Sequence, residues 1–226
     1  MDATLLLHRR PPDADESWLA RSLVALALRF RDARVRLLVP DVDGTTLGAG
    51  ARVPPPASFD TILLVERTTS RWPSLTAPDV DTARALDWLS GARGYRVEVR
   101  TLRPRPGPFR PAERSAGLVF AATAVRASAL DAAAFDAHWR DRHGPLALAH
   151  HAGLCGYEQL AVRSVLTAGA PAIDGVALLH FADTASYRDR FYDSDAGRAA
   201  IAADTQRFLD LPRCEAVLLG EHWARP

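Results

Sequence analysis

Phe59-Asp60-Thr-Ile-Leu-Leu-Val65 and Ile173-Asp174-Gly-Val-Ala-Leu-Leu179 stand about half a chain apart and read alike: a large apolar residue, an aspartate, then an apolar run. Runs of this length bounded by turn residues read as buried strands. If these two strands correspond, the elements around them should correspond as well.

Working outward, they do. Before Phe59, residues 3–8 and 33–40 read as strands, and 16–30 reads as a helix with Trp18, Leu19, Leu23, Leu26 and Phe30 at helical spacing. A Gly/Pro-rich loop covers 41–58. After it come a strand over 59–67, a helix over 79–91 and a strictly alternating strand over 95–102. Around Ile173 the order repeats. Strands are expected at 117–125, 153–162, 174–181 and 213–222. Ser128-Ala-Leu-Asp131 has the form of a capping box that opens a helix running to about Arg142. Asp183 caps a further helix, followed by another helical run ending near Leu209. Between the two sets lies 103–115, with four Pro, one Gly and four Arg, which reads as an extended linker.

Each half therefore reads βαββαβ, the ferredoxin-like arrangement. The predicted division is 1–102, a linker at 103–116, and 117–226. A sheet with helices on one face leaves its other face to be covered. Two such sheets packed face to face give an α+β barrel with antiparallel strands inside and helices outside. The halves of one chain can close that barrel as a monomer, and pairing between chains as a homodimer is the open alternative.

Composition narrows the chemistry. The 226 residues are 48% hydrophobic and 24% charged, ordinary for a globular chain, with a net charge of +1 that offers no field for nucleic acid. The chain has no Lys, so lysine Schiff-base chemistry is excluded. Cys155 and Cys214 form no CxxC pair and read as small buried thiols. No apolar run is long enough to span a bilayer, and the N-terminus lacks the basic and apolar regions of a signal peptide, so a cytoplasmic location is expected. There is no P-loop, no GxGxxG and no GxSxG.

The second half is similar to the EthD family, within the dimeric α+β barrel superfamily. The resemblance rests on Phe135, His138-Trp139, His143-Gly144-Pro145-Leu146, Gly153-Leu154, Tyr157, Asp174-Gly175-Val176-Ala177, Phe181, Asp204, Phe208 and Asp210. It covers about 117–222. The first half keeps Trp18 but has no matching His or His-Gly-Pro, so it looks like a degenerate copy and any site is expected to be single. The resemblance implies the barrel fold. It leaves the chemistry among the cyclases, isomerases, decarboxylases, monooxygenases and haem-binding peroxidases of the wider superfamily.

The chemistry-bearing residues cluster in FDAHWRDRHGPL (135–146) and just beyond it. His138 and His143 are the candidate general acid or base, because imidazole moves protons near neutral pH. They could equally be structural, with His138 bonded to backbone and His143 capping carbonyls. His143 is expected at the helix end, where the macrodipole would raise its pKa, with Gly144-Pro145 breaking or kinking the helix. Phe135 and Trp139 share a helix face, and Trp139 is a candidate ligand contact. Tyr157 shares a strand face with Gln159 and could offer a hydroxyl to a ligand. His180 and Phe181 lie on opposite faces of their strand and complete the candidate binding set. Asp210 reads as a cap or turn residue.

Five of the seven His fall between 138 and 180, but the spacing argues against a metal. His138 and His143 are about 140° apart on an ordinary helix, and the adjacent His150 and His151 point differently. No metal and no cofactor are expected. The leading expectation is a cofactor-independent lyase, cyclase or isomerase acting on a small apolar, aromatic or polyketide-like molecule. A non-catalytic binding or scaffold protein is the alternative, and haem or oxygenase chemistry is a weaker one.

Overall fold

The structure is a computed structural model that describes residues 1–40, 54–67 and 80–226. Most of the expected loop at 41–58, namely 41–53, lies outside the described residues, as does Asp79 at the start of the expected helix.

The first half runs β1 (Asp2–His8), α1 (Glu16–Arg29), β2 (Ala33–Val39), β3 (Thr61–Arg67), α2 (Val80–Ala85), a 3-10 turn (Asp87–Gly91) and β4 (Arg93–Arg103). The second half runs β5 (Leu118–Ala124), α3 (Ala132–His138), a wide π-type turn (Trp139–His143), α4 (Gly144–His150) and β6 (Leu154–Val165). It continues through β7 (Gly175–Phe181), α5 (Thr184–Arg190), α6 (Asp195–Phe208) and β8 (Ala216–Arg225). The two stretches that open the sequence analysis become β3 and β7, and each strand begins at its Thr61 or Gly175.

The strands close into one barrel in the order β1-β3-β2-β8-β5-β7-β6-β4. Every neighbouring pair is antiparallel. The halves meet at β2–β8 and at β4–β6, so this chain closes its own barrel. Closure removes every sheet edge.

Strand alternation sorts the apolar residues into layers. Leu5, Leu38, Ile62, Leu64, Leu160, Val176 and Leu178 fill the lumen. Leu37, Leu63 and Val65 face outward against Leu23 and Leu26 of α1. A fully buried leucine of this kind contributes about 1.5–3 kcal/mol. Around β5–β8 the outward layer is Leu118, Leu154, Tyr157 and Phe181, packed against Tyr187 of α5. The expected linker crosses one end of the barrel: Phe109 stacks on Trp223 with ring centres 4.6 Å apart, and Pro111 and Arg114 bridge to β8.

The expected helix from Ser128 to Arg142 is corrected at both ends. Asp131, not Ser128, is the N-cap, its carboxylate accepting from the Ala134 N–H at 2.7 Å. The chain still turns at Ala127–Leu130, so a carboxylate at 131 is the first placed to meet orphan N–H groups. At the other end Gly144-Pro145 does not break the helix. The Gly144 N–H reaches back five residues to the Trp139 carbonyl, and the wide turn it closes carries the chain into α4. Pro145 then falls in the first turn of α4, where a missing N–H costs nothing.

Candidate functional site

The wide turn is what assembles the site. In an ordinary helix, residues five apart diverge; in a π turn they align. His138 Nε2 and His143 Nδ1 both reach α6, where Asp204 holds them at 3.0 and 2.9 Å through its two carboxylate oxygens. The structural alternative, with His138 bonded to backbone and His143 capping carbonyls, is thus corrected: both rings bond to one carboxylate. Because a carboxylate only accepts, neutral His143 is fixed with its proton on Nδ1 and a lone pair on Nε2. His138 is fixed as the opposite tautomer. Phe208, one turn after Asp204, supports both rings: His138 stacks on it at 4.7 Å, and His143 lies tilted at 5.0 Å.

Burial dominates the electrostatics. His143 is pushed below the ordinary histidine value by desolvation, against the opposing pull of Asp204. The expected rise from a helix end is therefore overturned, because the helix does not end there. The neutral ring is a base near neutral pH.

His143 lines a cavity of about 750 Å³ that is not in the barrel lumen. It lies between the outer face of the sheet and helices α4 and α6. Its floor is open because Ala122 on β5 and Ala177 on β7, which are cross-strand partners, stop at Cβ. Ala147, Ala199 and Ala202 do the same on the helices. Aromatic walls come from Phe120, Trp139, Tyr157, Phe191, Tyr192 and Phe208.

Trp139 owes its position to a glycine. A Cβ at Gly175 would sit 2.3 Å from the indole, so the glycine that opens β7 is what lets the ring lie against the strand. Gln159 donates from Nε2 to the Trp139 carbonyl at 2.9 Å and to the Tyr157 hydroxyl at 3.2 Å. Burial pushes Tyr157 up to about 12, so the phenol keeps its proton and can donate it. Trp139, Tyr157 and His143 are thereby brought to one cavity, whereas His138 stands behind it on Asp204.

His180 and Phe181 do not join that cavity. Phe181 packs beneath it against Tyr187 and Phe191. His180 faces the lumen, where its Nε2 meets Glu158 at 3.2 Å. Glu158 belongs to a buried cluster centred on Arg36, whose guanidinium lies 2.6 Å from Glu158, 2.5 Å from Glu66 and 3.3 Å from Glu221. Burial pushes the Glu158 carboxyl up, but Arg36 and His180 together hold it well below the usual range. Arg105, from the expected linker, pairs with Glu221 from the barrel end. Among the described residues no three His, Cys, Asp or Glu side chains converge as a metal would require.

Two residues of the site are named in the sequence analysis but not as site residues: Asp204 only among those that carry the resemblance, and His151 only beside His150. Asp204 carries a signal in retrospect: it sits with Gly197, Ile201 and Phe208 on the buried stripe of α6, where a carboxylate needs partners. His151 lines the cavity too, but its adjacency to His150 hides which of the pair turns inward.

Residues 127–212 match the EthD domain family model. Two solved structures share the fold over nearly the whole chain. One, an anthrone oxidase-like protein, is 13% identical with a TM-score of 0.59, covering 99% of this chain and 92% of its own. The other, from Lactobacillus acidophilus NCFM and described as a candidate monooxygenase, is 9% identical with a TM-score of 0.50, covering 99% and 93%. At such identities the likeness is one of fold. No curated protein sequence matches the chain.

Proposed function

We propose that the EthD domain of residues 127–212 binds a flat aromatic or polyketide-like molecule in the outer cavity, and that His143 removes a proton from it without a cofactor. The observation that carries this reading is a single one: a buried neutral imidazole, oriented through Nδ1 by Asp204, lines an aromatic-walled cavity. His143 Nε2 takes the proton from a carbon acid next to a carbonyl. The electron pair moves to the carbonyl oxygen, where the Tyr157 hydroxyl donates to the enolate. Return of the proton at another carbon completes an isomerisation. Attack of the enolate carbon on a second carbonyl forms a C–C bond and an alkoxide, which recovers the proton from His143. His138 acts through Asp204 as a positioning residue.

A second reading uses the same carbanion. With dioxygen it forms a C–O bond, takes up a proton to give a hydroperoxide, and loses water to leave a ketone. The names of the two structural neighbours support it. We also read 1–102 and 117–226 as two copies of one unit joined by 103–116, supported by the matching strand order of the halves.

The test is deuterium exchange into anthrone in D2O under nitrogen, followed by oxygen uptake in air. Wild-type protein should catalyse exchange, and His143→Ala should lower the rate by about 10²–10⁴-fold while remaining folded. Oxygen uptake that follows exchange would select the second reading. Binding without exchange would leave a binding protein, and an unimpaired His143→Ala would sink the proposal.

A further inference from the structure

Gln159 is fully buried on β6, on the same outward face as Tyr157. It stands behind the residues that line the cavity. Its amide nitrogen carries two hydrogens and meets two acceptors, the Trp139 carbonyl at 2.9 Å and the Tyr157 hydroxyl oxygen at 3.2 Å. A carbonyl only accepts, so the bond to Trp139 settles which end of the amide is nitrogen. That same carbonyl takes the Gly144 N–H that closes the wide turn. Gln159 thus secures the turn that carries His138 and His143 to Asp204. Its second bond fixes the phenol. Burial raises the Tyr157 pKa, and side-chain hydrogen bonds from Gln159 and Trp139 act against it. A bond that lowers a phenol's pKa is one that its oxygen accepts. With two bonds accepted, the hydroxyl keeps one hydrogen to give, and among the described residues no acceptor takes it. Gln159 Oε1 is buried and meets no donor. As core packing this is unfavourable, because an apolar side chain of the same length would leave no acceptor unmet.

We propose that Gln159 is the positioning residue of this site, its one amide nitrogen locking the turn that presents the base and aiming the hydrogen of the acid at the ligand. The inference rests on the proton-transfer reading above and deepens it by naming what the acid end of the cavity takes. A Tyr157 oxygen already occupied by two donors offers the ligand a hydrogen and no lone pair. It therefore selects the keto form of a polycyclic aromatic, with the carbonyl oxygen at Tyr157. The hydroxyl counterpart is a weaker acceptor, and its own hydrogen finds no partner there.

The experiment is difference infrared spectroscopy of fluorenone, labelled with carbon-13 at its carbonyl and bound to the full chain. In the wild type the carbonyl band should lie below its position in hexane, and Tyr157→Phe should remove that shift. Gln159→Met should raise and broaden the band and weaken binding about tenfold, the worth of one hydrogen bond. The Trp139 carbonyl keeps its Gly144 bond in that variant. Two further measurements need no variant to fold. Wild-type protein should bind fluorenone about tenfold more tightly than fluorenol. The Gln159 side-chain amide protons, followed by NMR, should resist exchange with D2O and shift as fluorenone saturates the site. A Tyr157-dependent band shift that Gln159→Met leaves unchanged, or an amide that ignores the ligand, would overturn the role of Gln159 while leaving the cavity a ligand site. Equal affinities for ketone and alcohol would overturn the keto selection. If fluorenone does not bind, the cavity reading fails and the inference falls with it.

Discussion

His138 and His143 stand five residues apart and bond to opposite oxygens of one carboxylate, Asp204, at 3.0 and 2.9 Å. On an uninterrupted α-helix their rings would diverge. The wide turn at Trp139–His143 makes the shared contact.

Asp204→Asn replaces two acceptors by one acceptor and one donor. One histidine must then offer a lone pair to the amide, so its tautomer inverts. We expect nitrogen chemical shifts of the two rings to show one switched tautomer, and exchange activity to fall by about 10²-fold. Stability should drop by about 1.5–3 kcal/mol, the worth of a hydrogen bond to a charged group. Two unchanged tautomers would show that Asp204 does not set them.

The titration of His143 has a defined sign. Burial lowers its pKa in the fold, and the facing titratable groups are Asp204, which raises it, and His138, which lowers it. The unfolded chain takes up this proton near the ordinary 6.5, before the folded protein does. Stability is therefore full above that value and is lost as pH falls through the lowered folded value. Proton NMR of the ring should give a midpoint below 6.5, with chemical denaturation showing the matching loss. A midpoint above it would mean that Asp204 outweighs burial.

Ala177→Leu should fill the cavity floor beside Ala122 without disturbing the lumen on the other face of β7. The variant should melt near the wild-type temperature and fail to bind anthrone. Retained binding would place the ligand elsewhere.

Gly175→Ala puts a methyl 2.3 Å from the Trp139 ring and 2.8 Å from the Leu160 carbonyl oxygen. Overpacking of this kind costs about 1–3 kcal/mol. The indole must move, so its fluorescence should shift together with the loss of stability. A shift in neither would contradict the contact.

Arg36→Met removes the one guanidinium shared by Glu66, Glu158 and Glu221 inside the barrel. Uncompensated buried charge should cost about 3–5 kcal/mol in urea denaturation. The cavity lies on the other face of β6, so anthrone binding to the folded variant should persist. A change in affinity without a change in stability would tie the lumen cluster to the site.

The sequence by itself determined the succession of strands and helices along the chain and the barrel that they build. These depend on the period of apolar residues and on turn chemistry, both local and linear. It also marked His143, Trp139 and Tyr157 as residues worth following. Only the tertiary structure decided where the site lies. A period of two shows that His180 and Phe181 face opposite sides of their strand, but not which side is lumen. The lumen took His180 and the Arg36 cluster, while the cavity formed outside, over Ala122 and Ala177. Nor could linear spacing foresee Asp204 holding both histidines. That contact needs a π turn at Trp139–His143 and a second helix packed at one distance. Both are consequences of the whole chain closing around its barrel rather than of any stretch within it.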